Sequence, residues 1–263
     1  MQKELPFRIV CESEEFTAND QFKFCRLLFE QGGDYYTCKD EGRNGSFTPE
    51  RLRQLFDSSH LVPHSYYRTP LPIPFPCTTV EALSSHFYLK VVEPYAYEPA
   101  TDARSTTMAD HQLRELKVCE MLRENPHHNI CVYHGYLPSV GQNYLGGLCF
   151  DRHEMTLQDA VEQKIQFPSD FLDGLEDALK HLHSLGYAHN DINPNNVMLS
   201  QSGDLIVVDF DSCQPLGEGL EKGPTPDWEY PGDISVTNND LWALEKMREW
   251  IVKNTVRPAV SIV

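Results

Sequence analysis

No stretch of apolar residues in this 263-residue sequence approaches the ~18 needed to cross a bilayer. The start, MQKELPFRIVCESEEF, turns acidic where a signal peptide would be apolar. Neither a membrane span nor a secretory leader is expected, so the expected location is the cytoplasm or nucleus. Basic residues are scarce: 22 Lys and Arg stand against 39 Asp and Glu, a net charge of -17. That balance argues against a general binder of nucleic acid, although locally gathered cations could still hold a small phosphate ligand. The eight cysteines, at 11, 25, 38, 77, 119, 131, 149 and 213, form no CxxC pair and no Cys/His spacing typical of zinc. They read as reduced thiols, and the sequon Asn44-Gly45-Ser46 then carries no weight. Glycine is missing from the whole interval between Gly45 and Gly135.

What is present is an ordinary globular composition, 40% hydrophobic and 23% charged, in a length that allows one large or two small domains. Residues 1–60 are mixed, with an aromatic-rich FKFCRLLF and turns around Gly32-Gly33 and EGRNGS. SFTPERLRQLF predicts a short helix capped by Ser46 or Thr48, with Pro49 first and Leu52, Leu55 and Phe56 on one face. TPLPIPFP, with Pro70, Pro72, Pro74 and Pro76 alternating, predicts an edge strand or connector. HFYLKVVEP reads as a strand and HQLRELKVCEMLREN as a helix with Leu113, Leu116, Val118, Met121 and Leu122 at helical spacing. ICVYHGYL and YLGGLCF are strand candidates, and MTLQDAVEQK opens with a capping box, Thr156 with Asp159. Residues 168–186 predict a helix capped by Ser169 and stopped at Gly186. Phe171, Leu172, Leu175, Ala178, Leu179 and Leu182 form its stripe. NVML and LIVVDF, joined by SQSGD, predict a hairpin, and NNDLWALEKMREWIVKN an amphipathic helix with Leu241, Leu244, Met247 and Ile251 on one side. His127, His128, His153, His181 and His183 read as surface or packing residues, not metal ligands.

The chemistry concentrates in HNDINPNNVML and IVVDFDS. These place Asp191, Asn196 and Asp209 at the ends of short apolar strands, where polar side chains face a cleft. Two acids and an amide suit a divalent cation with oxygen ligands, most simply magnesium, and Asp191 could accept a proton from an attacking hydroxyl.

With those residues in view, the chain resembles the protein kinase family from about Phe87 to Trp250. HRDxxxxN is met as His189-Asn190-Asp191 and Asn196, and DFG as Asp209-Phe210-Asp211. YLKVV looks like the strand that carries the phosphate-holding lysine, Lys90, and Glu115 matches the glutamate that pairs with it. GPTPDW resembles the end of an activation segment and NNDLWAL the helix after it, whose buried aspartate would be Asp240. More narrowly, HSLGYAHNDINPNNVML and DFDSCQPLGE look like the small kinase-like proteins of filamentous fungi. The resemblance implies an α+β, bilobal protein kinase-like fold: residues 1–60 as an extension, 61–150 as a small β-rich lobe, 151–263 as a helical lobe. Only 23 residues follow Asp240, so that helical lobe is expected to be truncated. ATP and Mg2+ are the implied cofactors. Asp191 would be catalytic, with Lys90 and Glu115 anchoring phosphate. Asn196 and Asp209 would hold metal, with Asp211 as a further candidate. Asp151, His153 and Leu199 would lie along the nucleotide, and His189 would anchor the loop.

Three departures bear on activity. The glycine-rich loop is absent, leaving TTVEALSS or the Gly32 to Gly45 patch as candidate covers. The HRD arginine is Asn190, so control through a phosphorylated activation segment is not expected. DFG has become Asp209-Phe210-Asp211, and the lysine common two residues after the catalytic aspartate is Asn193. Phosphotransfer to a protein or small-molecule hydroxyl is the leading expectation. The alternatives are a pseudokinase acting as a binding or scaffold module, and transfer of AMP. Neither the acceptor nor the oligomeric state is legible.

Overall fold

The computed structural model describes residues 5–17, 19–73, 77–95, 97–98, 107–139, 141, 143–168 and 170–255. The expected Ser169 cap and the prolines at 74 and 76 lie outside the described residues. Two compact units are present: residues 1–70 with 91–112, and residues 71–90 with 113–263.

In the first unit, β1 (Arg8–Phe16), β2 (Phe22–Gln31) and β3 (Asp34–Asp40) run antiparallel. Helix α1 (Pro49–Asp57) follows, then β4 (His60–Leu61), which pairs with β3, and the short α2 (His64–Tyr67). Gly32 and Gly33, both at positive φ, form the tight turn between β2 and β3, a backbone shape that only residues without a Cβ adopt freely. Strand β2 is buried on both faces. Cys25, Leu27 and Phe29 pack with Leu52 and Leu55 of α1, while Leu28 packs with Val62, Tyr66 and Tyr67. This explains why FKFCRLLF lacks the polar alternation of a half-exposed strand. Arg26 enters that layer because Glu15, at 2.7 Å, and Glu98 neutralise it and the Tyr97 carbonyl accepts from it. Thr48 caps α1, accepting from the Arg51 amide at 3.2 Å.

In the second unit β5 (Phe87–Lys90) carries the lysine. Helix α3 (Met108–Glu124) continues into this unit from Leu113. The strands β6 (Tyr133–Pro138) and β7 (Leu145–Asp151) complete an antiparallel sheet of order β5-β7-β6. Then come β8 (Met155–Thr156), α4 (Leu157–Glu162), α5 (Asp173–Ser184) and β9 (Tyr187–Ala188). They are followed by β10 (Val197–Leu199), β11 (Leu205–Val207), β12 (Gln214–Pro215) and α6 (Thr237–Thr255). The capping box forms as read, with Thr156 and Asp159 exchanging hydrogen bonds at 3.0 Å each, and β10 and β11 make the expected hairpin. Helix α5 begins at Asp173, later than the apolar stripe suggested, because the turn before it is closed by Phe171 and Asp173 amides on the carbonyls of Pro168 and Asp170.

One expectation about α6 needs correction. Leu241 is exposed, and the buried stripe runs through Asp240, Ala243, Leu244 and Met247. The helix is rotated so that a carboxylate faces the core, which burial permits only because three donors meet it, as described below. The core joins Leu116, Cys119 and Leu122 of α3 with Leu175, Leu179 and Leu182 of α5, Val197, Val207 and Met247.

Gly147 in β7 sets how closely β5 can approach. A Cβ there would lie 2.7 Å from Leu89 Cδ1 and 2.8 Å from the Lys90 carbonyl oxygen. Gly147→Ala should therefore push β5 off the sheet and cost about 1–3 kcal/mol, as overpacking does. Urea denaturation measures this, and an unchanged midpoint would contradict the close packing of the two strands.

Candidate functional site

The loop from His189 to Asn196 is held from below by α6. Asp240, with no exposed surface, accepts from the backbone amides of His189 at 2.9 Å and Asn190 at 2.8 Å, and from His183 Nε2 at 2.8 Å. His189 donates from Nε2 to the Val208 carbonyl at 3.0 Å. A carbonyl only accepts, so the ring proton sits on Nε2 and the buried Nδ1 has no partner among the described residues. This contact ties the loop to the strand end that carries Asp209.

Asn190 was read only as a lost arginine, and the structure gives it a part of its own. Its φ is +65°, a conformation that Asn tolerates better than most residues. Its side-chain nitrogen reaches the carbonyls of Ala188 and Ser212 and the Ser235 hydroxyl at 3.0–3.1 Å. Its oxygen accepts from Asn239 at 2.9 Å. One buried amide thereby joins the loop, the residues after Asp209 and the start of α6, without any phosphate.

Asp191 is bonded on both oxygens. Oδ1 accepts from the Thr225 amide at 2.8 Å and from Asn193 Nδ2 at 3.2 Å, and Oδ2 accepts from Asn196 Nδ2 at 3.1 Å. Asn193 Nδ2 also reaches Thr225 Oγ1 at 3.1 Å. The nitrogen of Asn196 is thus turned to Asp191, which leaves its oxygen as the end available to a cation.

Lys90 gathers the acids. Its Nζ lies 2.7 Å from Glu115 Oε1, 2.5 Å from Asp209 Oδ1 and 3.7 Å from Asp211 Oδ2. Burial works against its charge, but the three carboxylates outweigh burial and hold the ammonium well above its ordinary pKa. Three acids sharing one lysine cannot all ionise equally well. Burial, which would raise Asp209, is outweighed by Lys90 and Lys222, and its carboxyl stays below the ordinary value. Glu115, fully buried with Asp209 and Asp211 nearby, is pushed up to about 7 despite Lys90. The lysine therefore stays charged, and the enclosed Glu115 ionises at higher pH than Asp209.

Lys90 and Asp209 border a cavity of about 330 Å3, whereas Glu115, Asp211 and the buried Asp191 lie outside its lining. Tyr88, Phe150, Met198 and Val208 supply apolar walls, and Lys90, Asn196 and Asp209 stand among the polar lining. His153 lines the cavity, as does Asp151, whose carboxylate is bonded to His134 at 2.7 Å. Leu199 does not line it; Met198 does, because successive residues of β10 face opposite sides of the strand. Leu199 lines a neighbouring hollow with His86 and Arg152. Sequence reasoning also missed Lys222, whose Nζ lies 2.7 Å from Asp211 Oδ1. No pattern in the sequence signals it, since a lysine in irregular chain has no periodicity. The candidate cover TTVEALSS begins away from Lys90: Thr78 and Val80 bond to Tyr136 of β6, the sheet edge opposite β5.

The charge sharing is directly measurable. Asp211→Asn removes one competitor for Lys90, so the Glu115 pKa should fall from near 7 toward the ordinary carboxylate range, followed by carbon-13 NMR of the carboxyl. The unfolded chain titrates this group near its ordinary value of 4.5. Its stabilising contribution is thus complete below that value and is lost as pH rises through about 7. A Glu115 pKa unchanged or raised in the variant would refute the shared-lysine account.

Comparisons with known proteins converge on one family. A family model described as "Protein kinase domain" matches residues 85–231. CBL-interacting serine/threonine-protein kinase 24 of Arabidopsis thaliana is 31% identical over 122 residues, 43% of this chain and 25% of the relative. Mitogen-activated protein kinase HOG1 of Saccharomyces cerevisiae is 28% identical over 141 residues, 51% of this chain and 29% of the relative. Serine/threonine-protein kinase SMU1 of Mycosarcoma maydis is 36% identical over 76 residues, 26% and 10% respectively. The chain thus spans less than a third of the length of these relatives. The α+β fold and the matched residues, which include Lys90, Glu115, Asp191, Asn196 and Asp209, agree: the chain belongs to the protein kinase domain family.

Proposed function

We propose that the chain is an ATP- and magnesium-dependent phosphotransferase acting on a hydroxyl acceptor, of serine/threonine type if the acceptor is a protein. The observation that carries this reading is the assembled Lys90: its ammonium touches both Glu115 and Asp209, so the phosphate-anchoring pair and the metal-binding carboxylate already share one point. The residues suit the cofactor. An apolar-walled cavity with polar groups in its lining matches a nucleotide base joined to a charged tail. One carboxylate, Asp209, and one amide oxygen, Asn196, leave further positions to phosphate and water, as magnesium prefers. Among the described residues no cluster of three His, Cys, Asp or Glu is placed to hold a metal by itself.

Bound MgATP supplies an activated phosphoryl group and the cation that screens it. The chain's own residues supply position and a proton acceptor. Lys90 donates to phosphate oxygens, with Glu115 holding it in place. The Thr225 amide and the amides of Asn193 and Asn196 fix the Asp191 carboxylate. Oδ2, which accepts from one donor where Oδ1 accepts from two, has the greater capacity to take the acceptor's proton. A second reading, nucleotide binding without transfer, is favoured by one observation. Asn193 occupies the place of a lysine, so the loop from His189 to Asn196 has no Lys or Arg.

The two readings separate in one experiment. MgATP should raise the melting temperature of the wild type and of Asp191→Asn alike, while transfer of labelled γ-phosphate to serine/threonine peptides should fall by about 100-fold or more in the variant, the scale of lost general-base catalysis. Equal transfer would remove Asp191 from its role. Stabilisation with no transfer in the wild type would favour the binding module, and an adenylate mass on the acceptor would mean AMP transfer instead.

A further inference from the structure

Two departures from the kinase pattern are coupled in space. Asp211 stands where DFG has its glycine, and Asn193 where a lysine is common. The carboxylate added at 211 does not stand alone. Lys222 Nζ is 2.7 Å from its Oδ1, Ser212 Oγ donates to the same oxygen at 3.2 Å, and Lys90 Nζ is 3.7 Å from Oδ2. Three residues after Lys222, the Thr225 amide donates to Asp191 at 2.8 Å and its hydroxyl accepts from Asn193. The segment from Lys222 to Thr225 is therefore pinned at both ends, to Asp211 at one and to Asp191 with Asn193 at the other. That brings a lysine to Asp211, beside a loop that has itself lost one. Burial works against its charge, but Asp211 first, then Asp209 and Asp191, outweigh that cost.

The local charge balance gives this lysine a task. Glu115, Asp191, Asp209 and Asp211 stand against Lys90 and Lys222, so an excess of negative charge would meet an anionic tail. Lys90 is already bonded to Glu115 and Asp209 on the β5 side. Lys222 approaches from the side of Asp211 and Asp191, the residue proposed to receive the acceptor hydroxyl. We infer that Lys222, presented by Asp211, is the cation that meets the outermost phosphate of a bound nucleoside triphosphate and makes the site prefer triphosphate over diphosphate. Asp211 is then a positioning residue for Lys222 and not a metal ligand. This inference rests on the nucleotide-site reading above.

Calorimetric titration with ATP and with ADP, each with Mg2+, tests it without relying on turnover. Lys222→Gln should weaken ATP binding by about tenfold, the scale of one lost charge-assisted hydrogen bond, and leave ADP binding within about twofold. Lys222→Arg should retain most of the ATP preference. Lys180→Gln, a helix lysine paired with Glu176 and Asp177 instead of an acid of the site, removes the same charge and should leave the ATP-to-ADP ratio unchanged. Melting temperatures without nucleotide confirm that each variant is folded. An unchanged ratio in Lys222→Gln, or an equal loss for both nucleotides, overturns the assignment of Lys222 while leaving the nucleotide site intact. Tighter ATP binding in that variant also overturns it, showing a lysine that plugs the site. Failure of the wild type to bind either nucleotide overturns the site reading and the inference together.

Discussion

The buried carboxylate of Asp240 is the constraint from which the site is built. A fully enclosed charge without partners is prohibitively costly, yet this one receives two backbone amides and a histidine nitrogen. The amides belong to His189 and Asn190, so satisfying the charge fixes the loop's entry. Asn190, held at φ +65°, turns the chain just before Asp191. His189 then ties that loop to Val208, next to Asp209. One buried acid on a helix thereby helps set where the two candidate acids, Asp191 and Asp209, stand.

Above this floor the site is organised by scarcity of positive charge. The chain carries -17 overall, and Lys90 is shared by three carboxylates. The result is a division of labour by environment: Asp209, next to both lysines, stays ionised, whereas enclosed Glu115 holds a proton to about 7. Lys222 enters from irregular chain to balance Asp211. Seen this way, Asp211 is not a defect added to DFG but one half of a pair. Asn190 likewise joins the loop to the residues after Asp209 and to the start of α6 through neutral hydrogen bonds.

Much of this was legible beforehand because it depends on local spacing. The Thr156 and Asp159 box, the Thr48 cap, the β10 and β11 hairpin and the helices α3 and α6 follow from short-range rules of capping, turns and periodicity. The sheet of the first unit was less legible. β2 is buried on both faces, which erases the alternation that marks a strand. The side of α6 that faces inward was misjudged at Leu241 because periodicity ranks residues by apolarity, and here a satisfied acid takes the core position.

The sequence by itself determined the family pattern: a lysine, a glutamate, an Asp and Asn five apart, and a second Asp, in fixed order. Spacing along a strand, a loop and a helix defines these, and local chemistry suffices to recognise them. The resemblance already paired Lys90 with Glu115, and only the tertiary structure decided the other partners. Lys90 meets acids 25 and 119 residues away, Asp191 meets Thr225 at 34, and Lys222 meets Asp211 at 11, beyond the short strand β12. Such pairings depend on how the sheet, the loop and α6 close on a common core, and electrostatic partnership follows distance in space, which spacing along the chain does not encode.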